Sequence, residues 1–125
     1  MDDPVRVLVL DDHRLSRRGL EIVLGAEDGI EVVGATSADT PAGRVIDLRP
    51  DVVLIDGRRF DPARAACLTV REAAPSARIL MMESPCGPGG DTAGDLFAEA
   101  DGVMPKFLPA DEVAEAIREM MRDPR

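Results

Sequence analysis

The chain has 125 residues, 45% of them hydrophobic, enough for one domain with a core of its own. A formal net charge of −9, no Trp, no Tyr and only three Phe argue against direct nucleic-acid contact through charge or base stacking. No apolar run approaches the roughly 18 residues of a membrane helix, and the acidic start Met1-Asp2-Asp3-Pro4 is unlike a secretory leader, so a cytoplasmic protein is expected.

Val5 to Leu10 is a short, continuous apolar run of the kind that forms a strand buried on both faces, and it ends in Asp11-Asp12-His13. Leu15, Leu20, Val23 and Leu24 then recur at helical spacing up to Gly25, with His13 as a helix-start residue. Ile30 to Ala35 reads as a second strand. Asp39 or Thr40 is positioned to cap a helix with Pro41 in its first turn; that helix carries Val45, Ile46 and Leu48 and stops before Pro50. Val52-Val53-Leu54-Ile55 runs straight into Asp56-Gly57, a strand followed by a turn. Ala63, Ala66, Cys67, Val70 and Ala74 line one face of a helix ended by Pro75. Arg78 to Met82 and Gly102 to Met104 are the fourth and fifth strands. Between them, two prolines and three glycines within Ser84–Asp91 predict a loop, leaving only a short or irregular helix over Thr92–Ala100. Asp111 to Met121 is a last amphipathic helix with acids in its first turn. Cys67 and Cys86 have no metal-binding spacing and are expected as free thiols. No repeat or linker is visible, so residues 1–125 are read as one domain.

Strands alternating with helices predict an α/β fold of the doubly wound, flavodoxin-like kind: a five-stranded parallel sheet in order 2-1-3-4-5 with five flanking helices. At the switch point of such a sheet the ends of the first and third strands are neighbours, which sets Asp11 and Asp12 beside Asp56. Carboxylates packed together repel, and a hard divalent cation such as Mg²⁺ relieves that repulsion with oxygen ligands. Lys106, just past the fifth strand, reaches the same edge. A carboxylate nucleophile, a cation and a lysine make a site for accepting a phosphoryl group, a reaction dominated by positioning and charge stabilisation. Taken singly, Asp12 reads as a helix cap, Asp56 as a strand terminator and Lys106 as a surface lysine; their coincidence at three strand ends favours a site.

Val-Leu-Val-Leu-Asp-Asp-His at 7–13, Arg-Pro-Asp-Val-Val-Leu-Ile-Asp at 49–56 and Ala-Asp-Gly-Val-Met-Pro-Lys at 100–106 resemble the bacterial response-regulator receiver domain over essentially the whole chain. The Asp-Asp-His start and Ile-Glu-Val-Val-Gly-Ala at 30–35 resemble the NarL/FixJ branch, whose outputs are LuxR-type DNA-binding domains. The resemblance implies that Asp56 accepts phosphate from a histidine kinase. It implies Mg²⁺ held by Asp12 and Asp56, by Asp11 partly through water and by the backbone carbonyl of Arg58, with Lys106 pairing with the phosphoryl group. It also implies a homodimer and, in a longer parent chain, a helix-turn-helix after Arg125 that regulates transcription.

The chain departs from the family pattern at its switch. Glu83 stands where a Thr or Ser normally hydrogen-bonds the phosphoryl group, Ser84 follows one place later, and Val103 replaces the usual aromatic residue of the fifth strand. A charge about 5 Å from another costs about 3 kcal/mol at an effective dielectric of about 20, enough to oppose phosphorylation unless a cation or Arg58 and Arg59 intervene. Glu83 alternatively pairs with Lys106, or points to solvent while Ser84 serves in its place. A non-enzymatic regulator is expected. The alternative is a phosphorylation-independent module that works by dimerisation or by binding a ligand or partner. An aspartate-nucleophile phosphohydrolase is disfavoured, because Asp11-Asp12-His13 lacks the Asp-x-Asp such enzymes carry, and no phosphate-binding glycine loop follows the first strand.

Overall fold

Apolar runs flanked by turn residues become strands, and the helical stripes between them become the layers that cover the sheet. The computed structural model describes residues 3–83 and 99–123. Strands β1 (Val5–Leu10), β2 (Ile30–Thr36), β3 (Val52–Asp56), β4 (Arg78–Glu83) and β5 (Gly102–Pro105) form one sheet in the order β2-β1-β3-β4-β5. Every pairing is parallel. Among the described residues there are four helices: α1 (Arg14–Gly25), α2 (Ala42–Leu48), α3 (Phe60–Ala73) and α4 (Ala110–Arg122). The loop expected over Ser84–Asp91, and nearly all of the short helix expected over Thr92–Ala100, lie outside the described residues.

Because successive strand residues point to opposite faces, each strand divides its side chains between two cores. Leu8, Leu10, Val53, Ile55, Ile79 and Met81 face α2 and α3, meeting Val45, Ala66 and Val70. Val7, Val9, Val52, Leu54, Leu80 and Met82 face α1 and α4, meeting Leu24, Val113 and Ile117. All five residues of β3 are buried, as expected of a central strand covered on both sides. Cys67 sits inside the α3 layer as a free thiol. Burial first, and then the acids Glu99 and Asp101 outweighing Arg71, push its pKa up to about 11, so it stays neutral.

Two local features differ from expectation. Helix α2 is preceded by Pro41 in extended conformation, with no side-chain cap. Asp39 and Thr40 do not cap it, because they are spent on the preceding turn: Ser37 Oγ donates to Asp39, and the Thr40 hydroxyl donates to Ser37 O at 2.7 Å. The β1–β2 register slips between Val7 and Leu8, where Val32 and Gly34 become consecutive partners and Val33 is the extra residue.

Candidate functional site

Backbone ladder bonds continue past the strand ends and fix the residues that follow them. The Asp11 N–H donates to Thr36 O at 2.9 Å, the Gly57 N–H to Met82 O at 2.9 Å and the Lys106 N–H to Glu83 O at 2.7 Å. Gly57 serves close approach: a Cβ there would lie 3.0 Å from Met81 Sδ and 3.1 Å from Met82 O. The carboxyl ends of β1, β3 and β5 are thereby brought to one edge of the sheet.

At that edge Lys106 Nζ lies 3.0 Å from Asp11 Oδ2 and 3.0 Å from Asp56 Oδ2. All three residues are buried. Both Asp11 oxygens are used: Oδ1 accepts the His13 N–H at 2.8 Å, and Oδ2 accepts the Ser16 hydroxyl at 2.7 Å as well as the ammonium. Asp56 Oδ1 accepts the Arg58 N–H at 3.1 Å. Burial alone works to raise the Asp11 pKa, but the Ser16 hydroxyl, the His13 N–H and Lys106 together outweigh it and hold Asp11 below its ordinary value.

Asp12 turns elsewhere. It is exposed, and its Oδ1 accepts the Ala38 N–H at 2.8 Å in the β2–α2 turn. It does not cap α1 either; His13 does, with Nδ1 accepting the Ser16 N–H at 3.2 Å. The expected gathering of acids is thus two carboxylates bridged by a lysine, with the third on the rim. Among the described residues no three His, Cys, Asp or Glu side chains come close enough to hold a metal ion together. Ser16, one turn into α1, is a site residue that sequence reasoning missed. Its cue was faint: a small hydroxyl five positions after a strand-end acid.

The DNA-binding transcriptional activator DevR/DosR of Mycobacterium tuberculosis is 32% identical over 118 residues, covering 93% of this chain and 54% of its own length. A nitrate/nitrite response regulator homologue of Haemophilus influenzae is 31% identical over 124 residues, covering 94% of this chain and 57% of that protein. The chain thus spans about half the length of the curated relatives it matches. The receiver domain of Mycobacterium tuberculosis NarL superimposes with a TM-score of 0.77 at 23% identity, over 98% of this chain and 100% of that one. No protein-family model matches. The chain is a response-regulator receiver domain.

The residues expected at the switch can be placed in part. Glu83 closes β4 in register with Pro105, without a bulge, and is exposed. Lys106 pairs with Asp11 and Asp56 and not with Glu83, so the Glu83–Lys106 pairing expected as one alternative is not formed. Ser84 lies outside the described residues. Val103 pairs with Met81 and is 42% exposed. For a hard divalent cation the donor types fit, since Asp12 and Asp56 carry two carboxylates at the ends of adjacent strands, a number typical of Mg²⁺ sites completed by water; Asp12 would have to give up its bond to the Ala38 N–H to join Asp56 there.

Proposed function

We propose that this receiver accepts a phosphoryl group on Asp56 from a histidine kinase and passes the change to an output surface. In the transfer an Asp56 carboxylate oxygen forms the new bond to phosphorus while the bond from phosphorus to the donor's nitrogen breaks, giving an acyl phosphate. Lys106 neutralises charge on the incoming group, Arg58 N–H orients the Asp56 carboxylate, and Asp11 holds Lys106 in place. Mg²⁺, when bound, would be held by Asp12, Asp56 and the Arg58 carbonyl with Asp11 through water, and would supply charge neutralisation at the phosphoryl oxygens. The observation that carries this reading is the buried Lys106 ammonium 3.0 Å from both Asp11 and Asp56, a fixed positive charge beside the acceptor.

The test is intact-mass spectrometry after incubation with acetyl phosphate and Mg²⁺. Wild type should gain one phosphate and Asp56→Asn none. Equal labelling of both, or none of wild type, removes the proposal. The name of the DevR/DosR relative and the roughly doubled length of both relatives support a DNA-binding output in a longer parent chain; a homodimer as the working form is part of the proposal.

A second reading is a module that works without phosphate, through dimerisation or a bound ligand. Exposed Glu83 at the end of β4 and Val103 in place of a ring favour it, because both positions that normally sense the phosphoryl group are altered.

A further inference from the structure

We propose that Phe107 is a positioning residue for Lys106: its ring lies over the ammonium and holds it at the carboxyl edge of the sheet for the reaction at Asp56. The inference rests on the reading of Asp56 as phosphoryl acceptor and deepens it. It starts from the backbone. Among the described residues three have positive φ: Gly29 at 79°, Arg49 at 50° and Phe107 at 69°. Glycine adopts this left-handed conformation without strain, and residues with a side chain do not. Gly29 meets that preference. Arg49 ends α2, a place where left-handed residues are common, and its carbonyl accepts from Arg6. Phe107 lies in the turn from β5 into α4, and neither account covers it. Glycine would make the same turn with less strain.

Core packing does not explain the side chain either, since Phe107 is 78% exposed. What the ring meets is charge. Lys106 Nζ lies over it, 5.7 Å from the centroid, within the roughly 6 Å over which an aromatic face attracts a cation. That ammonium is the one 3.0 Å from both Asp11 and Asp56. Backbone strain kept beside a reacting group is the mark of a functional constraint.

The ring supplies what the two carboxylates do not. During transfer the ammonium has to pass from the Asp56 carboxylate to the incoming phosphoryl oxygens, while Asp11 keeps its own hold. The attraction of the ring comes from its quadrupole and does not change with the state of Asp56, so it keeps the ammonium at the edge through that exchange. Phe107 is also the next residue after Lys106, whose N–H donates to Glu83 O at 2.7 Å. Ring and ammonium are therefore carried by one short, fixed stretch of backbone.

The test measures the initial rate at which acetyl phosphate and Mg²⁺ label the 125-residue chain, with the NMR shifts of the Lys106 methylene protons as a second readout. Phe107→Leu keeps apolar bulk and removes the ring. It should label about two- to fivefold more slowly than wild type, and its Lys106 methylene signals should move downfield as the shielding of the ring is lost. Phe107→Tyr and Phe107→Trp keep a ring and should label at least as fast as wild type. Phe107→Gly removes the ring and relaxes the backbone, so its urea midpoint should be no lower than that of wild type while its rate falls as in Phe107→Leu. A purely structural residue would move stability and rate together. Wild type that takes no phosphate overturns the acceptor reading and this proposal with it. Wild type that labels while Phe107→Leu and Phe107→Gly keep pace with it overturns the positioning role alone, as do Lys106 signals that stay in place. Slowing of Phe107→Tyr and Phe107→Trp equal to that of Phe107→Leu, or a Phe107→Gly that loses stability along with rate, makes residue 107 a structural prop and overturns the proposal as well.

Discussion

Lys106 is the residue on which the strand-end site depends, and its removal has a calculable sign. Its ammonium stands between Asp11 and Asp56, and all three groups are nearly excluded from water. Deleting one partner of a buried ion pair typically costs about 3–5 kcal/mol, because the remaining charge is left uncompensated. Lys106→Met should therefore lower unfolding free energy at neutral pH by about that amount. The pH dependence follows from Asp11, whose pKa in the folded protein lies below the ordinary 3.8. A depressed carboxylate contributes stability that is fully present above its unfolded value and is lost as pH falls through its folded value. Wild type and Lys106→Met should thus draw together as pH falls through the folded Asp11 value, where that carboxyl becomes neutral and no longer needs the ammonium. Urea unfolding of both proteins at neutral pH and again at a series of pH values descending from the ordinary 3.8 reads this directly, the gap closing as pH falls through the folded Asp11 value. Equal stability at neutral pH would show that Lys106 is not holding the acids together.

Elements were legible where local pattern decides them and illegible where distant partners do. The inner strands β1, β3 and β4 are runs of apolar residues whose burial follows from their place in a parallel sheet, and a short stretch of sequence suffices to read each. The start of α2 was misplaced because Asp39 and Thr40 have two local uses, capping a helix or closing a turn, and sequence does not rank them. The β2 bulge at Val33 depends on pairing with β1 and has no signature of its own. Nor were the side chains that fasten elements together visible. Arg6 of β1 donates to Leu48 O at 2.7 Å and to Arg49 O at 3.0 Å, satisfying carbonyls at the end of α2 from more than 40 residues away. Asp101 does similar work ahead of β5: its Oδ2 accepts the Ile79 N–H at 2.7 Å and the Arg71 guanidinium of α3 at 2.9 Å. Asp101→Ala leaves a backbone donor of β4 and a half-buried guanidinium without that acceptor, which should cost about 1–3 kcal/mol. Hydrogen exchange should locate the loss at Ile79 and the β4–β5 pairing. A variant that loses less than about 0.5 kcal/mol would mean that other contacts of Asp101 and Arg71 carry the join.

At the scale of the whole molecule the sheet order puts Asp56, the proposed acceptor, at the crevice between β1 and β3, with β4 and β5 beyond it toward the sheet edge. The gathering of Asp11, Asp56 and Lys106 at one sheet edge was readable from sequence, since each ends a strand or directly follows one; the turning of Asp12 toward Ala38 was not, because that bond depends on how the β2–α2 turn closes. On β4 and β5 stand Glu83 and Val103, the positions proposed for the switch. A ligand moves an equilibrium only by its differential affinity for the two states, and a phosphoryl group on Asp56 finds no hydroxyl at 83 to pull and no ring at 103 to follow. Glu83 is exposed, so water screens its charge and the electrostatic opposition falls from about 3 kcal/mol at an effective dielectric of about 20 toward about 1 kcal/mol in bulk water, roughly fivefold in an equilibrium. The prediction is therefore for slow labelling that is poorly coupled to assembly, and not for an absence of labelling. Glu83→Thr removes the opposing charge and restores the hydroxyl. With acetyl phosphate and Mg²⁺ it should label about three- to tenfold faster than wild type. The oligomeric state of wild type, followed by sedimentation with and without the phosphodonor, should stay the same, because Val103 still lacks the ring. If wild type labels as fast as Glu83→Thr and changes its oligomeric state when it does, the receiver is an ordinary phosphorylation switch whose coupling runs through residues other than 83 and 103.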